Sequence, residues 1–342
     1  MNDSNDFGGA DRPVRVEDVA REAGVSPITV SRALSTPHKV RAATRERVME
    51  AVARTGYVVN SIASTLRSGR SSIVTVFTAS LQNPHYANAV QGIFDAFQGS
   101  RFHLMFGQTG YSDDIGSEVV ESIQTFRPAG VMFTGIVRDE ATRNAVRALS
   151  VPVVEMWGEH TPAIDMLVGS SIQEAGHLVG QHFVEQGYRQ IAYCGHVRSH
   201  GGSGLVGFRE ALQASGDSVG YVLTKEDTGT FASGITALNE ILAAFPLCDA
   251  IFFGSDLLAA GAILSAREQN IAVPGRVAIA GYGDLDFALH VIPPLTSVTV
   301  SDYETGKSAG SMLRRRLEGD TNAEPVRRLS VRLTARGSTL RK

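Results

Sequence analysis

Pro27, Ile28, Thr29, Ser31 and Arg32 share the outer side of a short predicted helix. Arg32 carries the one side chain among them able to make a bidentate contact to guanine. The residues that position this set run from 14 to 32, VRVEDVAREAGVSPITVSR. Val16, Val19 and Ala20 give the apolar stripe of a first helix. Gly24 allows a tight turn, and Val25 plugs the corner between two helices. Ser26 is a good N-cap, and Pro27 fits the first helical turn, where its missing N–H is no loss. The second helix turns Val30 and Ala33 inward. This is the pattern of a helix-turn-helix, whose second helix lies in a DNA major groove and offers side chains to base edges.

A third helix is expected to follow, with Thr44 as N-cap, Val48, Ala51 and Val52 buried, and Gly56 as the residue that ends it. Three helices suffice for a small core. The chain therefore divides into a disordered tail (1–12), a DNA-binding domain (13–59), a hinge helix or linker (60–71) and a core (72–342). In the core, strand-like pieces at 73–79, 102–108, 130–136, 151–156 and 166–168 alternate with helical stretches such as 87–98, 117–126 and 140–149. The alternation restarts with strands at 190–195, 221–225, 250–254, 277–281 and 296–300, separated by helices near 173–186, 207–215, 233–245 and 255–269. Two such β–α series predict two parallel α/β lobes, with ligand space in the crevice beyond the strands' carboxyl ends. The expected lobes are 72–168 plus 301–325, and 169–300 plus 326–342.

Bulk properties agree with this division. A chain of 342 residues, 43% hydrophobic and 20% charged, is long enough for two or three domains. The net charge of −3 hides an asymmetry: residues 12–70 hold eleven Lys/Arg against five Asp/Glu, whereas residues 71–342 hold twenty-one against twenty-seven. A basic module on an acidic body is the electrostatic footprint of phosphate binding. No apolar run approaches a membrane span, and the N-terminal residues are acidic and polar, so a cytoplasmic protein is expected. Cys194 and Cys248 lie in apolar strand-like runs without a partner motif and read as buried thiols. The nine histidines lack metal-ligand spacing, and neither metal nor cofactor is expected.

VEDVAREAGVSPITVSRAL followed by VRAATRERVMEAVARTGY resembles the headpiece of the lactose repressor family of bacterial transcription regulators. Weaker matches extend the resemblance over nearly the whole chain, among them NPHYANAVQGI at Asn83, GLVGFREAL at Gly204, FFGSDLLAAGAI at Phe252, IAVPGRVAIAGYGD at Ile271 and PPLTSV at Pro293. The resemblance implies a headpiece, a hinge helix and a bilobal periplasmic-binding-protein-like core. It also implies operator binding as a homodimer, switched by a small metabolite. By it, Pro27, Ile28 and Arg32 read bases, while Thr29 and Ser31 contact phosphate or base. Hinge residues Asn60, Ala63 and Leu66 join them, Leu66 wedging into a minor-groove step. Val59 stands where the family usually has proline.

For the effector the resemblance points to Tyr86 closing from the first lobe. Asp256 stands beside the crevice, where it is equally a plain N-cap, and Arg198 and His200 follow strand 190–195. Asp284 lies just beyond Tyr282, and Trp157 sits at a strand end, where it either stacks on ligand or is buried against the lobe. Two polar residues usual in the family are replaced by Gly204 and Gly283, which argues against a neutral pyranose or purine. VPVVEMW at Val151 and IDMLVGSS at Ile164 resemble the gluconate-utilisation repressor branch, so a sugar acid is the expected effector, its carboxylate met by Arg198, His200 and helix N-termini. A neutral sugar or nucleobase is the alternative. A remote one is a nicotinamide enzyme, because Gly202–Gly207 spells GxGxxG before a helix with Glu226 and Asp227 beyond. Against it, six residues separate those glycines from the strand's end.

Overall fold

The computed structural model describes residues 14–35, 37–57, 71–110, 117–158, 162–196, 199–225, 229–320 and 324–341; for residues 35, 38 and 199–201 it describes the backbone. Two compact units divide between Gly69 and Arg70. In the first, α1 (Val16–Ala23), α2 (Pro27–Ser35) and α3 (Ala42–Thr55) enclose Val19, Ala20, Ala23, Val30, Ala33, Val48 and Ala51, with Val25 packed at the corner. Gly24 takes the left-handed conformation, φ 63°, that lets α1 end and the chain turn within two residues. Ser26 Oγ accepts the Thr29 N–H at 3.2 Å, capping α2. Thr44 does not cap α3. The helix begins at Ala42, with Arg41 at the cap position, because the helix-favouring Ala42 and Ala43 extend it back past Thr44.

The second unit holds two six-stranded sheets. The first comprises β1 (Ile73–Thr78), β2 (His103–Gln108), β3 (Gly130–Phe133), β4 (Val153–Met156), β5 (Met166–Ser170) and β11 (Val326–Leu329), in the order β11-β5-β4-β3-β1-β2. The second comprises β6 (Ile191–Gly195), β7 (Val219–Thr224), β8 (Ala250–Phe253), β9 (Ala278–Gly283), β10 (Thr296–Thr299) and β12 (Arg332–Thr334), in the order β12-β10-β9-β8-β6-β7. All neighbouring pairs are parallel except β10 with β12. Central strands are buried along their whole length and read as apolar runs, VMF in β3 and AIFF in β8, as sheets covered on both faces require.

Helices α4 (Pro84–Phe97), α5 (Ser117–Phe126) and α6 (Glu140–Ala148) cover the first sheet. Helices α7 (Ile172–Glu185), α8 (Ser199–Ala214), α9 (Phe231–Ala244) and α10 (Asp256–Glu268) cover the second. After β10 the chain returns to the first lobe, where α11 (Asp302–Leu317) packs Ala309, Met312 and Leu313 into the same core as Ala89, Ile93 and Phe97 of α4. It then supplies β11, which pairs with β5 from Val326↔Leu167 to Leu329↔Ser170. Residues 326–329 thus belong to the first lobe and not, as expected from sequence, to the second. Only from β12 onward does the chain rejoin the second lobe.

Helix α8 begins at Ser199, eight residues before the expected start, and takes in the whole Gly202–Gly207 motif. A Cβ at Gly207 would overlap the Gln173 carbonyl, and one at Gly176 would overlap the Gly204 carbonyl. These glycines therefore let α7 and α8 pack backbone to backbone, and no phosphate loop is present there. Cys194 and Cys248 are both buried, and burial pushes each thiol up to about 12. Among the described residues, no helix is long and apolar enough to cross a membrane.

Candidate DNA-reading face and effector crevice

On α2, Val30 and Ala33 are 0% and 3% exposed, and the opposite side presents Pro27, Ile28, Thr29, Ser31 and Arg32. Ile28 is 68% exposed, an apolar side chain with no core to join. Ser26 Oγ and Thr29 Oγ1 lie 2.9 Å apart, so the cap also steadies the first turn of that face. The sequence-predicted Asn60, Ala63 and Leu66 lie outside the described residues, as does Arg198. His200 falls in the first turn of α8, not in a loop.

The residues expected at the effector crevice lie where the carboxyl ends of the parallel strands in each lobe meet helix N-termini. Tyr86 stands in the first turn of α4, whose start is fixed by Asn83 Oδ1 accepting the His85 N–H at 3.1 Å. Trp157 follows β4 with a left-handed φ of 58°. Their rings meet edge to face, centroids 5.1 Å apart, so the two predicted aromatic residues form one surface.

The two predicted acids do something different. Ser255 Oγ, not Asp256, caps α10 by accepting the Leu257 N–H at 3.2 Å. Asp256 is 0% exposed. Its Oδ2 accepts the Leu285 N–H at 2.8 Å and its Oδ1 accepts the Ser297 hydroxyl at 2.6 Å. Burial pushes its carboxyl up to about 6, against the pull of those hydrogen bonds. Asp284 is tied to the same knot: its N–H donates to Ser297 Oγ at 3.0 Å, and its carboxylate accepts from Thr299 Oγ1 at 2.7 Å and Arg336 at 2.6 Å. All four carboxylate oxygens serve the second lobe, shaping the turn that follows β9.

His85, missed in the sequence, sits between these groups. Its Nδ1 lies 2.6 Å from Asp302 Oδ2 at the head of α11. A Cβ on Gly283 would stand within 2.6 Å of its Nε2. The departure at Gly283 was visible in the sequence, but what fills the space comes from 198 residues away. Tyr282, whose ring centroid is 6.0 Å from that of His85, keeps its phenol neutral, because burial and then the nearby charge of Asp302 push it upward. No cluster of three or more His, Cys, Asp or Glu arranged to hold a metal occurs among the described residues.

A helix-turn-helix domain joined in one chain to a two-lobed parallel α/β unit with a crevice is the architecture of a ligand-responsive DNA-binding regulator. Residues 15–60 match the model for bacterial regulatory proteins of the lacI family, and residues 180–339 match that for the periplasmic binding protein-like domain. The HTH-type transcriptional regulator GntR of Pseudomonas aeruginosa is 30% identical over 333 residues, 95% of either chain. A LacI-family transcriptional regulator from Silicibacter pomeroyi superposes with a TM-score of 0.88 at 28% identity, over 96% of this chain and 100% of that one. The lac repressor dimer bound to operator and the anti-inducer ONPF superposes with a TM-score of 0.84 at 25% identity, again over 96% and 100%. The chain belongs to the lacI family of transcriptional regulators and is a DNA-binding protein, not an enzyme.

Proposed function

We propose that this regulator is a repressor that binds a near-palindromic operator as a homodimer and is switched by a sugar acid such as gluconate. What supports the reading is an outward Ile28–Arg32 face on α2, together with the edge-to-face Tyr86–Trp157 pair at the strand ends of the first lobe, which we take as the wall of the effector crevice. The first suits base edges. The second gives a sugar ring an apolar wall. Arg198 and His200 are the residues proposed to meet the carboxylate, a charge-assisted contact that a neutral sugar would leave unused. The resemblance of VPVVEMW and IDMLVGSS to the gluconate-utilisation branch supports the same class. Linkage then supplies the mechanism: a ligand that binds one lobe arrangement better shifts the dimer toward or away from the geometry that fits DNA.

The Tyr86–Trp157 wall suits a neutral sugar as well, and a solved relative, CelR, is a complex with cellobiose at 29% identity. Gel-shift titration against a genomic fragment library, with and without millimolar gluconate, separates the readings. Tight selective binding that gluconate changes establishes regulator and ligand class together. Selective binding indifferent to gluconate but altered by a neutral sugar transfers the pocket to the second reading. The absence of any selective binding overturns the operator proposal.

A further inference from the structure

His85 touches both lobes. It opens α4 on the first lobe, and its ring lies over Gly283 at the end of β9 on the second. Asp302, its partner at 2.6 Å, sits where the chain crosses from β10 back to α11. The side chains of His85 and Asp302 are 13% and 5% exposed, so solvent does little to screen the pair. The ionisable groups facing the ring are Asp302 from α11, Asp256 from α10 and the Tyr282 phenol from β9, with Tyr86 next on its own helix. Burial alone would push His85 down. The charge and hydrogen bond of Asp302 outweigh it, helped by the charge of Asp256, and hold the ring above the ordinary histidine value near 6.5, while Nε2 is buried against Gly283 without a hydrogen-bond partner among the described residues.

We propose that His85 is a proton-operated latch across the lobe seam: charged, it is held by Asp302 with its ring packed over Gly283 of the other lobe and keeps the lobes as seen here; neutral, it releases them. The balance of lobe arrangements, and with it DNA affinity, then answers to pH whatever effector fills the crevice. The sign follows from the direction of the shift. A histidine raised on folding contributes its stability in full below its unfolded value near 6.5, and that contribution is lost as pH rises through the folded value. Asp256, at about 6, loses the charge that favours the histidinium on the acid side, so the latch is tightest from about 6 up to the raised His85 value.

Trp157 is the chain's one tryptophan and packs edge-on against Tyr86, the neighbour of His85. Its fluorescence in the full-length, ligand-free protein, followed from about pH 5 to about pH 9 alongside the X-ray scattering radius of gyration, reads the latch. The expected result is one transition with its midpoint above 6.5 and the larger radius on the alkaline side. His85→Gln is expected to abolish the transition and give the alkaline signal throughout. Asp302→Asn is expected to lower the midpoint by about one pH unit or more. Gly283→Ala, which forces the ring aside, should give the alkaline signal at every pH and decides the matter if His85→Gln fails to fold. A transition that survives His85→Gln at the same midpoint overturns the latch. So does a midpoint unmoved by Asp302→Asn, or a radius that does not change across it.

Discussion

Position 155 shows how a charge can be central to a lobe from within its core. Glu155 is 0% exposed; its carboxylate accepts the Val137 N–H at 2.9 Å, the Ile164 N–H at 2.6 Å and Arg143 at 3.3 Å. Arg143 in turn is 3% exposed and donates to the Val137 carbonyl at 2.7 Å. Removing one member strands the other, so Glu155→Ala is expected to cost about 3–5 kcal/mol in urea unfolding, with Glu155→Gln costing less because it keeps an acceptor. Arg32→Ala is expected to weaken operator binding by about 1–3 kcal/mol, seen by fluorescence anisotropy on a selected site. The residues of the α2 face were legible in sequence because a short helix fixes inside and outside by spacing alone. His85 was not, because its partners Asp302 and Gly283 lie about two hundred residues on, and no local pattern announces a contact of that range. Asp256 and Asp284 were legible as acids near the crevice, but Ser297 and Arg336, which claim their oxygens, come from other strands and the C-terminal segment.

Among elements, β–α alternation carried the reading. Apolar runs bounded by turns marked every strand of both sheets except β11 and β12. The covering helices agree to within a few residues except α8, which starts eight residues earlier than expected, and α11, which the reading did not name. Strand β11, VRRL, is an edge strand with exposed arginines and lacks the apolar signature of a buried strand. Helix α8 was shortened because a run of glycines reads as a loop until its partner helix is known. That packing gives a test: Gly207→Ala places a methyl against the Gln173 carbonyl, must part α7 from α8, and is expected to lose about 1–3 kcal/mol in chemical denaturation. A control at Gly216, where a Cβ meets nothing within 4 Å but φ is +79°, would lose only the smaller cost of left-handed backbone.

At the scale of the molecule, the basic front module and the acidic body make different demands on solution conditions. Operator affinity is expected to fall linearly on a log–log plot against salt, with a slope of about −0.9 for each phosphate neutralised; a flat plot in the anisotropy titration would separate binding from the charge of residues 12–70. Calorimetry should resolve more than one transition, since the two units have separate cores. An effector at a hundredfold excess over its Kd should stabilise the larger unit by about 2.7 kcal/mol and leave the helix-turn-helix transition where it was.

The three passages between lobes also set an order of assembly on the ribosome. The first lobe is started by β1, yet it waits for α11 to complete the core under α4 and for β11 to close its edge at Leu329. By Thr299 the second lobe has five of its six strands and all four of its covering helices in hand. The helix-turn-helix unit is therefore free to fold as it emerges, the second lobe can gather most of its sheet next, and the lobe that is synthesised earlier is finished later. A nascent chain halted after Thr299 would carry an apolar face of α4 with nothing yet made to cover it, which is the state a chaperone would meet.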